Sequence, residues 1–258
     1  MDGPLSLQIA EPQLIALLLA SVRAAAWLVI CPPFSYRAIP GPAKALLSVA
    51  IALPIAPRLT GQLPADTAPA LLFSAAQQAF VGFALGFVTA LLFAAVQSAG
   101  DLVDLFGGFS VAFAFDPLAQ TGNSVFGRFY GLLASTLLFA TDGHQLVLRG
   151  FTQSYQALPL DQGLAMSELA RVLTTGLNQL FLAAVQIAGP LIAVLFLADL
   201  GLGLLSRAAP ALNAFSLGFP AKILLTLSLA GFGLLLLPQA VSSLVDQAVR
   251  AVVGLAGQ

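Results

Sequence analysis

Residues 70–97 read ALLFSAAQQAFVGFALGFVTALLFAAVQ, an apolar run long enough to cross a lipid bilayer with some tilt. A membrane-spanning helix needs about 20 consecutive apolar residues, and this run exceeds that length. Within it, Gly82 and Gly86 form a GxxxG pair, which lets the backbone of a neighbouring helix approach closely. The run therefore predicts a membrane helix that packs through its glycines. Because small residues are abundant in this chain, a chance occurrence of the pair is the alternative.

The composition of the whole chain points to the same surroundings. Of 258 residues, 59% are hydrophobic and only 8% are charged, whereas a soluble domain carries about 25% charged residues. Lipid or other protein must therefore cover much of the surface. A net charge of -1 provides no basic patch for nucleic acid. The single cysteine, Cys31, excludes an intrachain disulfide and a multi-thiolate metal site, and a small buried hydrophobe is its simplest role.

Five further apolar segments accompany the run at 70–97. They cover residues 14–31, 43–55, 125–141, 177–198 and 217–237. Pro190 predicts a kink in the segment at 177–198, and Pro238 ends the last segment. From Val241 onward, apolar residues recur at helical spacing opposite a polar face, which predicts an amphipathic helix lying on a membrane or a partner.

These patterns together predict an all-α membrane protein in a single domain over residues 1–258. It has about six apolar helical segments, with kinked or broken helices forming helical hairpins, and a C-terminal amphipathic helix. The N-terminus lacks the basic region of a cleavable signal peptide, so we expect the first apolar segment to stay as an anchor. Lys and Arg are spread too evenly between the connecting segments to fix the orientation.

The segment at 98–124, SAGDLVDLFGGFSVAFAFDPLAQTGNS, breaks the helical pattern. Asp101 and Asp104 share one helix face before Gly107 and Gly108 interrupt it. After the glycines, bulky and small residues alternate, which indicates an extended loop with bulky side chains on one side. The bulky residues are Phe109, Val111, Phe113 and Phe115. Such a loop is either a hydrophobic constriction that closes a pore by dewetting or a packed connection between helices.

A second break, at 198–220, reads ADLGLGLLSRAAPALNAFSLGFP and suggests two half-elements joined by a bend. Asp199, Arg207 and Lys222 flank it, either as functional ionisable groups or as markers of a headgroup boundary.

Arg23 lies inside the first apolar segment without a charged neighbour in sequence. It must snorkel to the interface, face water, or pair with a carboxylate such as Asp101, Asp104 or Asp199. The sequence does not choose among these settings.

No catalytic or metal-binding constellation is present in the sequence. The only histidine, His144, follows Asp142-Gly143 at a segment end, where a boundary role is the simplest interpretation. Metalloprotease, nucleophile-elbow and phosphate-loop motifs are absent, as are the residue sets of intramembrane proteases. We therefore expect no enzymatic activity, no cofactor and no metal.

The whole chain resembles the FliR family, the flagellar members of the type III export-gate proteins, with the injectisome relatives similar. No single motif is specific, but the order and spacing of several motifs over most of the chain carry the resemblance. They are Arg23, Pro32-Pro33-Phe34, Pro40, Gly82 and Gly86; Ala99-Gly100-Asp101, Gly108-Phe109 and Asp116-Pro117; Asp142-Gly143-His144, Ser154-Tyr155 and Pro159; and Asp199-Leu200-Gly201-Leu202, Ser206-Arg207, Pro210, Asn213 and Gly218-Phe219-Pro220. One departure is Asp142, where the family pattern has Asn; both residues favour turns.

The resemblance implies a structural and gating subunit of the flagellar type III protein export channel. The implied partners are FliP-like and FliQ-like export-gate subunits, FlhB-like and FlhA-like export components, unfolded flagellar substrate proteins and the membrane. The implied location is the bacterial inner (cytoplasmic) membrane at the flagellar basal body.

The resemblance also implies that residues 106–120 plug the closed channel. In this interpretation aromatic residues exclude water and ions at rest, namely Phe106, Phe109, Phe113 and Phe115. Gly107 and Gly108 let the loop swing aside when a substrate chain is pushed through. Asp116 and Pro117 complete the segment.

A small secondary transporter is the main alternative, because transporters also contain broken membrane helices. It would predict an inverted repeat and polar groups in the middle of the spans. The two broken segments do not mirror each other in sequence, and polar residues within the spans are few.

Overall fold

The computed structural model describes residues 11–36, 39–109, 124–209 and 214–254, and these residues form helices joined by short turns. In chain order the helices are α1 (Glu11–Ile30), α2 (Gly41–Ala52), α3 (Ala68–Gly107), α4 (Val125–Ala140), α5 (Gly143–Ala157), α6 (Met166–Ala208) and α7 (Ala214–Gly254). Two short 3-10 turns, Ala56–Arg58 and Thr60–Gln62, follow α2. The prediction of an all-α membrane protein with long apolar helices is confirmed.

Three of the described helices are long and apolar enough to cross a membrane. They lie at Glu11–Ile30, Ala68–Gly107 and Leu169–Ala208. A fourth candidate is the bent pair Gly218–Gly231 and Gly233–Ala251, whose halves meet at 54°. The helices at 41–52 and 125–140 are apolar but too short for this role.

Helix boundaries differ from the predicted ones in three places. Helix α3 continues through Asp101 and Asp104, so the break in the segment at 98–124 begins only after Gly107. Helix α6 extends on both sides of the predicted segment and runs through Pro190. Helix α7 runs through Pro238, where the last apolar segment was expected to end. Neighbouring helices can satisfy the carbonyl that a proline leaves free, so proline interrupts helices less often in apolar surroundings.

The described helices form two compact units. The first unit comprises residues 1–90, 145–174 and 247–258, and the second comprises residues 91–144 and 175–246. In the first unit Trp27 of α1 stacks on Phe151 of α5, with ring centroids 4.5 Å apart. The expectation of a single domain stays a prediction.

The amphipathic part of α7 contributes to the core of the second unit. Val241, Leu244 and Val245 are buried, and they line one small cavity together with Val96 of α3 and Ala134 of α4. We expected this apolar face to lie on a membrane or a partner, and that expectation is wrong for these residues. The apolar surfaces of α3 and α4 cover it instead.

Much of the remaining apolar surface is exposed. Helix α6 is the clearest case, since only 22% of its most apolar stretch is buried, and Phe181, Leu182 and Leu204 are more than half exposed. Exposed apolar surface of this extent indicates contact with lipid or with other protein.

Candidate functional site

The segment predicted to plug a pore begins where α3 ends. Phe106 and Gly107 form the last turn of α3, and Gly108 follows with a φ of +86°. This left-handed conformation is common directly after a helix, and glycine adopts it without steric cost. Five of the predicted plug residues lie outside the described residues: Val111, Phe113, Phe115, Asp116 and Pro117.

The described start of this segment is packed within the second unit. A Cβ atom at Gly107 would lie 2.8 Å from Thr226 Oγ1, and one at Gly108 would lie 3.6 Å from the ring of Phe219. Phe109 makes an edge contact with Phe126, with ring centroids 5.4 Å apart. The two glycines therefore lie against the first half of α7, where a larger residue at position 107 would collide with Thr226.

The N-terminus of α4 meets the last turns of α3. Ser124 Oγ accepts a 2.7 Å hydrogen bond from Gly127 N and caps the helix, and Asp104 Oδ2 accepts a 3.0 Å hydrogen bond from Phe126 N. A Cβ atom at Gly127 would collide with Asp101. Carboxylates near a helix N-terminus satisfy free N–H groups and interact favourably with the helix dipole. Asp101 and Asp104, which share one face of α3, thus both lie at the start of α4.

In the first unit, Gly82 and Gly86 lie directly against α1. A Cβ atom at Gly82 would collide with Arg23 O and lie 2.8 Å from Ala26 Cβ. At Gly86 it would lie 3.0 Å from Trp27 O. Only glycine permits this separation between the two backbones, which is the contact that a GxxxG pair allows.

Arg23 is fully buried and bound by neutral acceptors. Its Nε donates to Gln78 Oε1 at 2.7 Å, Nη1 donates to Ser154 O at 3.1 Å, and Nη2 donates to Leu158 O at 2.7 Å. The guanidinium carbon also lies 4.4 Å from the ring centroid of Tyr155. None of the three settings expected from the sequence describes this arrangement. Main-chain carbonyls at the end of α5 and one amide take the place of a carboxylate.

The acceptors around Arg23 are themselves held in place. Gln78 Nε2 and Ser74 Oγ both donate to Leu160 O, at 3.1 and 2.7 Å. Tyr155 donates its hydroxyl proton to Ala20 O at 2.8 Å. Burial raises the pKa of the Tyr155 hydroxyl, so this group stays neutral. None of these partners was predicted from the sequence, although the polar residues Ser74 and Gln78 in the apolar run of α3 were a visible signal.

The remaining predicted charge positions lie in the second unit. Lys222 Nζ forms a bidentate ion pair with Asp199, at 2.8 Å to Oδ1 and 2.9 Å to Oδ2. This pair joins α6 to α7 across the second predicted break. Arg207 lies exposed in the last turn of α6.

Within the described residues, no group of three or more His, Cys, Asp or Glu side chains is placed to hold a metal ion. The ring of His144 lies 5.1 Å from that of Phe139 at the turn between α4 and α5.

Known proteins are similar to this chain in sequence over most of its length. The model of the family described as bacterial export proteins, family 1, matches residues 14–248. The flagellar biosynthetic protein FliR of Pectobacterium carotovorum is 35% identical over 221 residues, covering 83% of this chain and 82% of that protein. FliR of Bacillus subtilis is 30% identical over 211 residues, covering 81% and 82%. The secretion system apparatus protein SsaT of Salmonella typhimurium is 30% identical over 151 residues, covering 58% of each chain.

Proposed function

Because the chain belongs to bacterial export proteins, family 1, we propose that it is a structural and gating subunit of the flagellar type III protein export channel. Its place among components of the flagellar and type III export apparatus follows from the FliR and SsaT relatives. The helices and these relatives fit a membrane-bound component. The finer assignment to the bacterial inner membrane at the flagellar basal body is part of the proposal.

The exposed apolar surface supports assembly with other subunits. The side chains of Phe181, Leu182 and Leu204 of α6 are 67%, 59% and 69% exposed. Exposed apolar side chains of this kind mark surfaces that contact protein or lipid. We propose that FliP-like and FliQ-like subunits cover such surfaces, and that FlhB-like and FlhA-like components join the same apparatus. Unfolded flagellar proteins are the proposed substrates, and the chain has no enzymatic role in this proposal.

The gating role rests on the segment at 106–120. One observation supports the gating role: the rings of Phe109 and Phe126, on either side of the aromatic stretch, are in contact. The two ends of this stretch therefore lie next to each other. Between them the sequence offers Val111, Phe113 and Phe115 and, before Asp116, no charge. Apolar side chains that converge in a narrow pore exclude water and ions. We propose that this segment closes the channel at rest and that Gly107 and Gly108 allow it to move aside.

The gating proposal is tested by ion conductance of the assembled complex in a planar bilayer. Deletion of residues 109–115 should raise the resting conductance well above that of the unmodified complex, because the apolar barrier is removed. Replacing Phe113 and Phe115 by leucine is the matched control, since it keeps the length and the apolar character of the segment and should leave the conductance low. Conductance that stays at the closed level after the deletion would contradict the gating role.

The structural role is tested by co-expression. The chain produced alone should be less stable in detergent and should elute as monomers mixed with larger oligomers, because its exposed apolar surface lacks its partners. With FliP-like and FliQ-like proteins it should elute as one defined complex. A chain that is monodisperse and ligand-responsive alone would favour a transporter and contradict the assembly role.

A further inference from the structure

A cavity of about 110 Å³ with a mixed polar and apolar lining lies in the first unit, between the turns after α2 and the helix α5. Arg58 and Gln62 line it from the turns, and Thr152, Tyr155 and Gln156 line it from α5. Since a water molecule occupies about 30 Å³ in the liquid, the cavity has room for about three waters. That space suits a small polyatomic group and is well below the size of pockets that enclose whole organic ligands.

The electrostatics of the cavity favour an anion. Arg58 is the charged residue among those that line it. The buried Arg23 adds a second positive charge, because its guanidinium carbon lies 4.4 Å from the ring centroid of the same Tyr155 that lines the cavity. The hydrogen bonds of Arg23 go to neutral acceptors, so its charge is solvated by dipoles and not cancelled by a carboxylate. A phosphate is the anion that guanidinium groups bind with the best geometry.

An apolar stripe leads along α2 to the turns that form this cavity. Leu46, Val49 and Leu53 follow one another at helical spacing and are 74%, 42% and 60% exposed. Directly after this stripe come Pro54 and Ile55, which belong to the cavity lining. An exposed apolar track that ends at a cationic cavity matches a molecule with a long hydrocarbon tail and an anionic head.

We propose that this cavity binds the phosphate of one glycerophospholipid at Arg58, with an acyl chain along Leu46, Val49 and Leu53. This site is independent of the gating segment, so the proposal stands whether or not residues 106–120 close a channel.

Native mass spectrometry of the full-length protein in detergent, titrated with phosphatidylethanolamine, tests the proposal. The wild-type protein should retain one lipid molecule. Arg58→Gln should weaken retention about tenfold, equivalent to about 1.4 kcal/mol. Arg149→Gln is the matched control, because Arg149 is an exposed arginine of α5 that does not line the cavity. Equal retention by wild type and Arg58→Gln overturns the proposal.

Two further arms separate a lipid from free phosphate and from misfolding. Leu53→Ser keeps the positive charge of Arg58. It should weaken retention of the lipid and leave the binding of inorganic phosphate unchanged. If inorganic phosphate binds, and wild type and Leu53→Ser retain the lipid equally, the cavity is a phosphate site and the lipid proposal is wrong. Low reactivity of the buried Cys31 thiol at room temperature verifies that each variant is folded.

Discussion

Replacing Arg23 by methionine should destabilise the first unit by several kcal/mol. The substitution keeps an apolar chain of similar length and removes the guanidinium. Ser154 O keeps the hydrogen bond that it accepts from Leu158 N at 2.9 Å, so it does not become an unpaired acceptor. Gln78 Oε1 and Leu158 O lose the donors that Arg23 supplies at 2.7 Å each.

The expected magnitude follows from those two acceptors. A buried acceptor without a donor costs about 1–3 kcal/mol, so two of them cost about 2–6 kcal/mol. Removing the buried charge also removes its desolvation penalty, which offsets part of this loss. We expect a net loss of about 3 kcal/mol, which corresponds to a melting temperature lower by about 6–12 °C for a chain of this size.

The chain contains its own probe for this measurement. Cys31 is the single cysteine and is fully buried in the first unit, and burial raises the pKa of its thiol. Because the thiolate is the reactive form, the folded protein should react slowly with a fluorogenic maleimide and the unfolded protein quickly. Fluorescence recorded during heating then gives the melting temperature of this unit in detergent.

Three variants make the outcome decisive. Arg149→Met removes an exposed arginine from α5 and should leave the melting temperature nearly unchanged. Arg23→Lys keeps the charge but cannot reproduce the planar fork that reaches three acceptors, so it should fall between wild type and Arg23→Met. In Arg23→Met with Gln78→Met, the loss should be smaller than the sum of the single losses. A melting temperature of Arg23→Met equal to that of wild type would refute the reasoning.

Three other substitutions test the remaining contacts by thermal unfolding followed by circular dichroism. Gly82→Ala should destabilise the protein by about 1–3 kcal/mol because the added Cβ collides with the backbone of α1. Gly189→Ala, whose added Cβ has nothing within 4 Å, should be neutral or slightly stabilising. Equal effects of the two substitutions would contradict the close contact. Asp199→Asn should cost about 1 kcal/mol or less, since the carboxylate is 46% exposed, and exchanging Asp199 and Lys222 should restore most of the loss if the ion pair matters. Ser124→Ala removes the cap of α4 and should cost about 0.5–2 kcal/mol, with no change arguing against the cap.

Local patterns in the sequence predicted the apolar helices but not all of their ends. Helices α1, α2 and α4 lie within a few residues of the predicted segments, because hydrophobicity and proline act locally. Helix α5 was missing from the predicted apolar segments, since most of its residues are polar or glycine. Pro238 was misleading for the opposite reason, because apolar surroundings favour continuing the helix over exposing the backbone. Pro190 lies inside α6, as it lay inside the predicted segment at 177–198.

The partners of Arg23 could not be predicted from local patterns. Gln78 lies 55 positions away in sequence, and Ser154 and Leu158 lie 131 and 135 positions away. The expectation of a carboxylate partner followed the general preference of buried charges for ion pairs. It overlooked that the carbonyls at the end of α5 have a favourable dipole and spare acceptor capacity for the guanidinium.

One regularity in the sequence does mark the face of α3 that meets Arg23. Ser74, Gln78, Gly82 and Gly86 follow one another at intervals of four, so they lie along one row on the surface of α3. Ser74 and Gln78 both donate to Leu160 O. Gly82 and Gly86 lie against Arg23 and Trp27 of α1, which are also four residues apart. Packing between rows of this spacing on both helices is the commonest way in which helices meet. The small and polar residues of α3 are therefore one contact surface: glycine brings the backbones together, and the same separation brings Arg23 within reach of Gln78. A GxxxG pair preceded at the same spacing by polar residues thus predicts a buried polar partner on the neighbouring helix.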